Sequence, residues 1–200
     1  SLHDALPIYP AFVGSDAGCG MALYQLDLAS RRIRVDKAAD RLRELADQGV
    51  PMLMICGMYQ LFGNAFVTVE GQRLPGLGIL DVTTQGNEKR MIGPVVLTTD
   101  HGDVVGYENH SGLTHLGAGQ EPFGRVVSGA GNDGQDGTEG AVTDEVIGTY
   151  LHGSLLPKNP AVADWLLARA VEHTGAAWEP EPLDDTWAER ARTVAMSRPR

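Results

Sequence analysis

The sequence predicts an α/β fold with a mixed, mainly parallel sheet flanked by helices. Three observations carry that expectation. Residues 36–48 show apolar side chains at helical spacing and stop at Gly49. Residues 50–55 are an apolar run that ends abruptly at Cys56-Gly57, with a second helical pattern behind it. Short strand-like runs then lead into a long helical segment at residues 161–173. Helix, buried strand and helix in that order mark helices layered on a sheet. The length of 200 residues suits one domain with a sizeable core.

Taken in order, residues 1–8 read as neither helix nor strand and are set apart as a leader outside the fold. Residues 9–13 are a short apolar run, and residues 14–20 (GSDAGCG) are a glycine-rich loop. Such a loop can turn backbone N–H groups toward an anion, but its spacing fits neither Gly-x-Gly-x-x-Gly nor a phosphate loop ending in Gly-Lys. A plain connection is the simpler reading. Leu23, Leu26, Ile33, Ala38, Leu42 and Leu45 make an interrupted stripe over residues 21–48, firmest from 36 onward, with Gly49 as its stop. Residues 50–55 read as a strand buried on both faces, and residues 57–65 as the start of a helix. Short strands are expected at 77–82, 91–98, 104–108, 125–128 and 146–150. Residues 129–140 (GAGNDGQDGTEG) nearly lack apolar side chains and are expected to be an exposed loop. Pro157 and Pro160 lead into the last helix, with Val162, Trp165, Leu166 and Ala170 on one face. The domain is thus expected over residues 9–175. Residues 176–200 are rich in proline, acid and arginine, with Trp178 and Trp187 as large anchors, and are expected to be partly disordered or packed on a partner.

The formal net charge of -10 and a pI near 4.9 argue against sequence-independent nucleic-acid binding and against anionic membranes. No run of about eighteen apolar residues exists to span a bilayer. The two cysteines, Cys19 and Cys56, form neither a disulfide framework nor a Cys-x-x-Cys site, so no metal is expected. The first residues carry no basic stretch of the secretory type. These features together suggest a reducing cytoplasm.

Cys56 can be a core thiol or a nucleophile. It stands where the strand ends, at the edge where α/β sheets place their sites. The helix expected behind it would lower the thiol pKa, and the Gly57 N–H could serve an oxyanion. A cysteine nucleophile needs a base. Of six histidines, His3 lies in the leader, His173 near a helix end and His101 in a turn. Of His110, His115 and His152, the last is best placed, because His152-Gly153 closes the expected strand at 146–150. Two parallel strands would bring Cys56 and His152 to one sheet edge.

Cys56-Gly57 with His152-Gly153 resembles the class I (triad) glutamine amidotransferases, whose fold is flavodoxin-like. Tyr107-Glu108-Asn109-His110-Ser111-Gly112 resembles the Tyr-Glu-x-His-x-Gly motif of the cobyric and cobyrinic acid synthase (CobB/CobQ) branch. Residues 74–78, 131–140 and 147–160 are similar to the glutaminase subunits of lipid II isoglutaminyl synthases within that branch. The resemblance runs from about residue 36 to 174. It implies that Cys56 attacks the side-chain amide of L-glutamine and that His152 moves the proton. It implies oxyanion donors at Gly57 and in the Gly14 loop, and Arg90 as the arginine that holds the substrate carboxylate, for which a guanidinium fork is suited. Tyr107, Glu108 and His110 would support the site. The resemblance further implies a heterodimer with a MurT-like Mur-ligase subunit. That partner would carry ATP, receive the ammonia and amidate the α-carboxyl of D-glutamate in lipid II, a step of cell-wall synthesis. No cofactor is expected in this chain.

Where many class I enzymes place a glutamate beyond the His-Gly pair, Ser154 stands here, so the third acid of the triad is expected from the partner, with Glu108 as the in-chain alternative. Two departures bear on the oxyanion site. The family's Gly-Gly-Gly-Gln-Asp loop is here Gly14-Ser15-Asp16-Ala17-Gly18, and Met58 puts a long side chain into a turn expected to be crowded. The first βα unit of the family fold is not recognised, which suggests an N-terminally truncated chain. The rival readings are a glutaminase domain for corrin amidation and a catalytically silent binding subunit of a ligase complex.

Overall fold

The computed structural model describes residues 35–199. The leader, the strand expected at 9–13, the loop bearing Gly14 and Cys19, and the front of the first helical stripe lie outside them. In chain order the elements are α1 (Val35–Asp47), β1 (Met52–Ile55), α2 (Gly57–Phe62), β2 (Ala65–Val67), β3 (Arg73–Pro75), β4 (Val82–Gln85), β5 (Met91–Thr99), β6 (Gly102–His110), β7 (Leu113–Leu116), β8 (Gly124–Ser128), β9 (Thr138–Glu139), β10 (Ala141–Thr143), β11 (Val146–Thr149), α3 (Leu155–Lys158), α4 (Pro160–His173) and α5 (Thr186–Met196).

The expected α/β architecture is present, but among the described residues its ladders are mainly antiparallel and not mainly parallel as expected. Three sheets have the orders β1-β11-β10, β3-β2-β4-β7 and β6-β5-β8-β9. Among the described residues β1 with β11 and β2 with β4 are parallel pairs, and the remaining ladders are antiparallel. The first sheet is the centre of the molecule, because its side chains alternate between two cores. Met52, Val146 and Tyr150 join Tyr59, Phe62, Leu80 and Val82 in one core, against which Ala39, Leu42, Leu45 and Ala46 of α1 pack. Ile147 and Leu151 join Val95, Leu97, Val104, Phe123 and Val162 in the other, with Leu53, Trp165 and Leu166 at its border.

α1 closes as its sequence predicts. Gly49 takes φ +74°, its N–H bonds the Ala46 carbonyl, and the Val50 N–H bonds the Leu45 carbonyl. That pair of bonds satisfies two carbonyls the helix end leaves open, and glycine reaches the left-handed conformation without a Cβ clash.

Several expectations are corrected. β1 is fully buried only at Met52. Among the described residues it pairs on one side alone, with β11. The strand expected at 77–82 starts only at Val82. The N–H groups of Leu77, Gly78, Ile79 and Leu80 are turned instead onto the carbonyls of Leu61, Phe62 and Gly63, where they cap the end of α2. α2 itself stops at Phe62, and Ala65 opens β2. The loop at 129–140 is not simply exposed. Residues 134–137 face solvent, but Gly131, Asn132, Thr138, Glu139 and Gly140 are buried, with their polar groups hydrogen-bonded inside. Residues 186–196 form α5, which lies against β5, β6 and α3 with Trp187 exposed. No helix among the described residues is long and apolar enough to cross a membrane.

Candidate active site

The site begins where β1 runs out. The Cys56 N–H donates to the Thr149 carbonyl at 2.9 Å, the last rung of the parallel ladder with β11. The backbone then turns to φ 55°, ψ -109° at Cys56, a conformation that few residues with a Cβ adopt. α2 starts at once, and the Gln60 N–H returns to the Cys56 carbonyl at 3.0 Å. A half-buried cysteine on a strained strand-to-helix turn has the form of a nucleophile elbow. The surroundings make room for it. An added Cβ at Gly57 would meet nothing within 4 Å, whereas one at Gly148 would lie 2.2 Å from the Tyr59 ring, so Gly148 lets the first turn of α2 sit directly on β11. Met58 points away and is 42% exposed, so the crowding expected from it does not occur.

His152 follows three residues after β11 ends and is buried. Its N–H donates to the Tyr107 carbonyl at 2.8 Å, which pins it to β6. Because β1 and β11 are parallel and in register to Ile55 and Thr149, Cys56 and His152 leave the sheet at the same edge. Ser154 sits in the left-handed conformation at the start of α3.

Tyr107, Glu108, His110 and Gly112 each have a definite task around this edge. Tyr107 holds His152 through its carbonyl, while its ring is exposed. The buried Glu108 carboxylate accepts the N–H groups of Ala130 and Gly131, both at 2.9 Å. His110 stacks flat on Tyr150, with ring centroids 3.5 Å apart, and donates through Nδ1 to the Gly112 carbonyl at 2.9 Å. Its Nε2 lies 3.9 Å from Glu108. Gly112 must be glycine, since a Cβ there would meet Thr84, Gln60 and Tyr150 at 2.6–3.1 Å. Glu108 therefore serves as an anchor for the loop that follows β8.

A buried polar layer underlies the elbow. The Tyr150 hydroxyl accepts from Gln60 Nε2 at 3.1 Å and pairs with Thr114 Oγ1 at 2.6 Å, which in turn meets Thr84 Oγ1 at 2.7 Å. Burial pushes the Tyr150 hydroxyl up to about 12, against the pull of its hydroxyl and amide partners, and Cys56 beside it adds to the rise. The Tyr59 hydroxyl donates to Asn132 Oδ1 at 3.1 Å. The same oxygen takes the Gly140 N–H, and Asn132 Nδ2 donates to Thr138 Oγ1 and the Gly140 carbonyl. Next to it, Glu139 accepts from Thr149 Oγ1 at 2.9 and 3.0 Å and from the Tyr150 N–H at 2.6 Å. Complete burial raises the Glu139 carboxyl to about 7, although its hydrogen bonds pull the other way; Glu108 adds a smaller like-charge push.

Arg90 precedes β5 and reaches across to β6. Its Nε and Nη2 donate to Asn109 Oδ1 at 3.1 and 2.7 Å, and Nη2 also reaches the Asn109 carbonyl at 3.3 Å. It lines a cavity of ≈ 530 Å³ with Lys89, Leu113, Asp133 and Gln135; neither Cys56 nor His152 borders that cavity. His115 is largely exposed beside Asp133, and His101 sits in the β5–β6 turn against Phe123 and Trp165, where burial lowers its pKa. Gly14 and His3 lie outside the described residues. Sequence reasoning missed Tyr150, Asn132 and Glu139. Tyr150 had a signal, as an aromatic at the end of an expected strand two residues before His152. Asn132 and Glu139 sit in a stretch whose composition reads as solvent-exposed.

A family profile for the CobB/CobQ-like glutamine amidotransferase domain matches residues 27–160. The chain belongs to this family. It is 37% identical over 188 residues to subunit GatD of the glutamine-hydrolysing lipid II isoglutaminyl synthase of Staphylococcus aureus (strain N315), covering 94% of this chain and 74% of that protein. It is 32% identical over 165 residues to the subunit of the same name from Streptococcus pneumoniae (strain ATCC BAA-255 / R6), covering 81% and 61%. The amidotransferase domain is also 38% identical over 157 residues to a probable cobyric acid synthase of Methanoregula boonei, covering 71% of this chain but 29% of that protein. Among solved structures, a glutamine amidotransferase from Thermotoga maritima matches at 15% identity and a TM-score of 0.40, over 80% of this chain and 64% of that one. The Cys56 and His152 segments both fall inside the matched amidotransferase domain.

Proposed function

We propose that this amidotransferase domain is the glutaminase subunit of a lipid II isoglutaminyl synthase. The observation that carries the hydrolytic half is the strained Cys56 turn leaving the same sheet edge as His152. Cys56 Sγ attacks the side-chain amide carbon of L-glutamine while His152 takes the thiol proton. The C–N bond breaks, His152 returns the proton to the leaving nitrogen, and ammonia departs from a glutamyl thioester. Water then adds to the thioester carbon, the C–S bond breaks, and glutamate leaves with the thiol restored. The Gly57 N–H, with Gly14 as the second donor, carries the oxyanion. Arg90 holds the substrate carboxylate.

The long match to the two GatD subunits supports the destination of the ammonia. It passes to a MurT-like ligase subunit in the cytoplasm, which carries ATP and amidates the α-carboxyl of D-glutamate in lipid II. The cobyric acid synthases match a smaller share of this chain, 58–74% against 94% and 81% for the two GatD subunits, which favours the GatD-type reading over a corrin-amidating domain. Ser154 stands where many class I enzymes place a glutamate, so this reading takes the acid that orients His152 from the ligase subunit, with Glu108 as the in-chain alternative. Activity is therefore partner-dependent.

Ammonia release from glutamine by the chain with and without its ligase subunit tests this reading. Cys56→Ala is expected to fall to background, a loss of at least about 10³-fold. Equal release by wild type and Cys56→Ala overturns it. Arg90→Ala is expected to raise the KM for glutamine by at least about tenfold, the loss expected when a charged hydrogen bond to the substrate is removed; an unchanged KM removes Arg90 from the substrate site.

A further inference from the structure

Glu139 lies just before β10, in a segment whose composition suggests solvent, yet it is fully buried. All the described hydrogen bonds of its carboxylate run to the end of β11: Thr149 Oγ1 reaches both carboxylate oxygens and the Tyr150 N–H reaches Oε1. The Thr149 hydroxyl also accepts the Leu151 N–H at 3.1 Å, while the Thr149 carbonyl accepts the Cys56 N–H at 2.9 Å. One threonine therefore links the carboxylate, the elbow and the turn that leads to His152. Asn132 braces the same loop from the other side, through Tyr59 on α2. Without the carboxylate, the Tyr150 N–H would be buried without an acceptor, and the chain just past β11 would lose its fixed path.

We propose that Glu139 is a positioning residue for the Cys56–His152 pair: through Thr149 and the Tyr150 N–H it fixes where the end of β11 leaves the sheet, and so the alignment of His152 with the elbow. It acts without touching glutamine. The proposal rests on the glutaminase reading above for its kinetic arm only.

The test uses the full chain with its ligase subunit, and measures kcat and KM for glutamine. Glu139→Ala is expected to lower kcat about 100-fold with KM within about twofold, since a misplacement of about 1 Å costs that much in the chemical step. Glu139→Gln keeps an oxygen for the Tyr150 N–H and offers its amide to Thr149 Oγ1, and is expected to recover to within about tenfold of wild type. Thr149→Val preserves the β-branched shape while removing the hydroxyl, so it remains informative if Glu139→Ala does not fold. It is expected to lower kcat about tenfold at unchanged KM. Wild-type kcat in Thr149→Val, or a change confined to KM, overturns the proposal. A second arm follows iodoacetamide alkylation of Cys56 by peptide mass, which needs no turnover. Thr149→Val is expected to slow it about tenfold, and a wild-type rate overturns the proposal. If wild type releases no ammonia with its ligase subunit, the glutaminase reading fails, while the alkylation arm still decides the role of Glu139.

Discussion

At Cys56 the backbone and the side chain make opposite demands. A φ of 55° suits glycine, yet the turn has a Cβ and a thiol. Strain of this kind costs roughly 1–3 kcal/mol and persists where the surroundings impose it. Here the rung to Thr149 and the bond from Gln60 do so. Cys56→Gly is therefore expected to be more stable than Cys56→Ala by about 1 kcal/mol, after glycine's entropic cost is subtracted; thermal melts of the two variants check this, and a higher Tm for Cys56→Ala contradicts it. Gly148 is the counterpart on β11. Its Cβ would lie 2.2 Å from the Tyr59 ring and 2.7 Å from Leu80, so Gly148→Ala is expected to cost about 3 kcal/mol, read as a lower urea midpoint at unchanged slope. Cys56 and His152 were legible in the sequence because each ends an apolar run and is followed by glycine. Glu139 was not, because its burial comes from a partner strand that its own neighbours give no hint of.

Among the elements, those that form from local pattern were legible: α1 with its glycine stop, the Cys56 strand, the β5–β6 hairpin and α4. The short strands β2, β3, β7, β9 and β10 were not, since two to four residues carry too little alternation to be told from a loop. Residues 77–80 misled for a physical reason: their apolar side chains enter the core, but their N–H groups go to the end of α2 and not to a neighbouring strand. The junction of α3 and α4 shows how a single polar residue joins layers. Asn159 is buried; its Oδ1 accepts the Val105 N–H at 2.9 Å, and its Nδ2 donates to the carbonyls of Val105 and Leu155 at 2.8 and 2.6 Å. Asn159→Ala strands the polar groups of Val105 in the β6 interior and is expected to destabilise by about 3 kcal/mol, measured by denaturant titration. A loss below about 1 kcal/mol would mean that water reaches β6 there.

At the scale of the whole molecule, Glu139 links stability to pH. Its carboxyl stands near 7 in the fold, mainly through burial, and near 4.5 when unfolded. The folded state thus binds the extra proton between those values. Its stabilising share is full below about pH 4.5 and is lost as pH rises through about 7, on the order of 3 kcal/mol at most. Wild type minus Glu139→Gln stability, from denaturation at pH 5 and pH 8, is expected to fall across that window; a flat difference contradicts it. The domain's class and its sheet edge could be read from sequence, whereas the polar layer beneath the edge could not. The parallel ladder between β1 and β11 has one further consequence, for how the protein is made. It joins strands 94 residues apart, Met52 facing Val146, whereas β5 and β6 meet across a tight turn. Contacts of long sequence separation form late, after the local hairpin. During synthesis Cys56 is completed well before His152 exists, so the thiol passes through translation without the histidine proposed as its base. On the proposed glutaminase reading, the site is complete only when the longest-range pairing among the described strands closes, which would make glutamine turnover a reporter of completed folding.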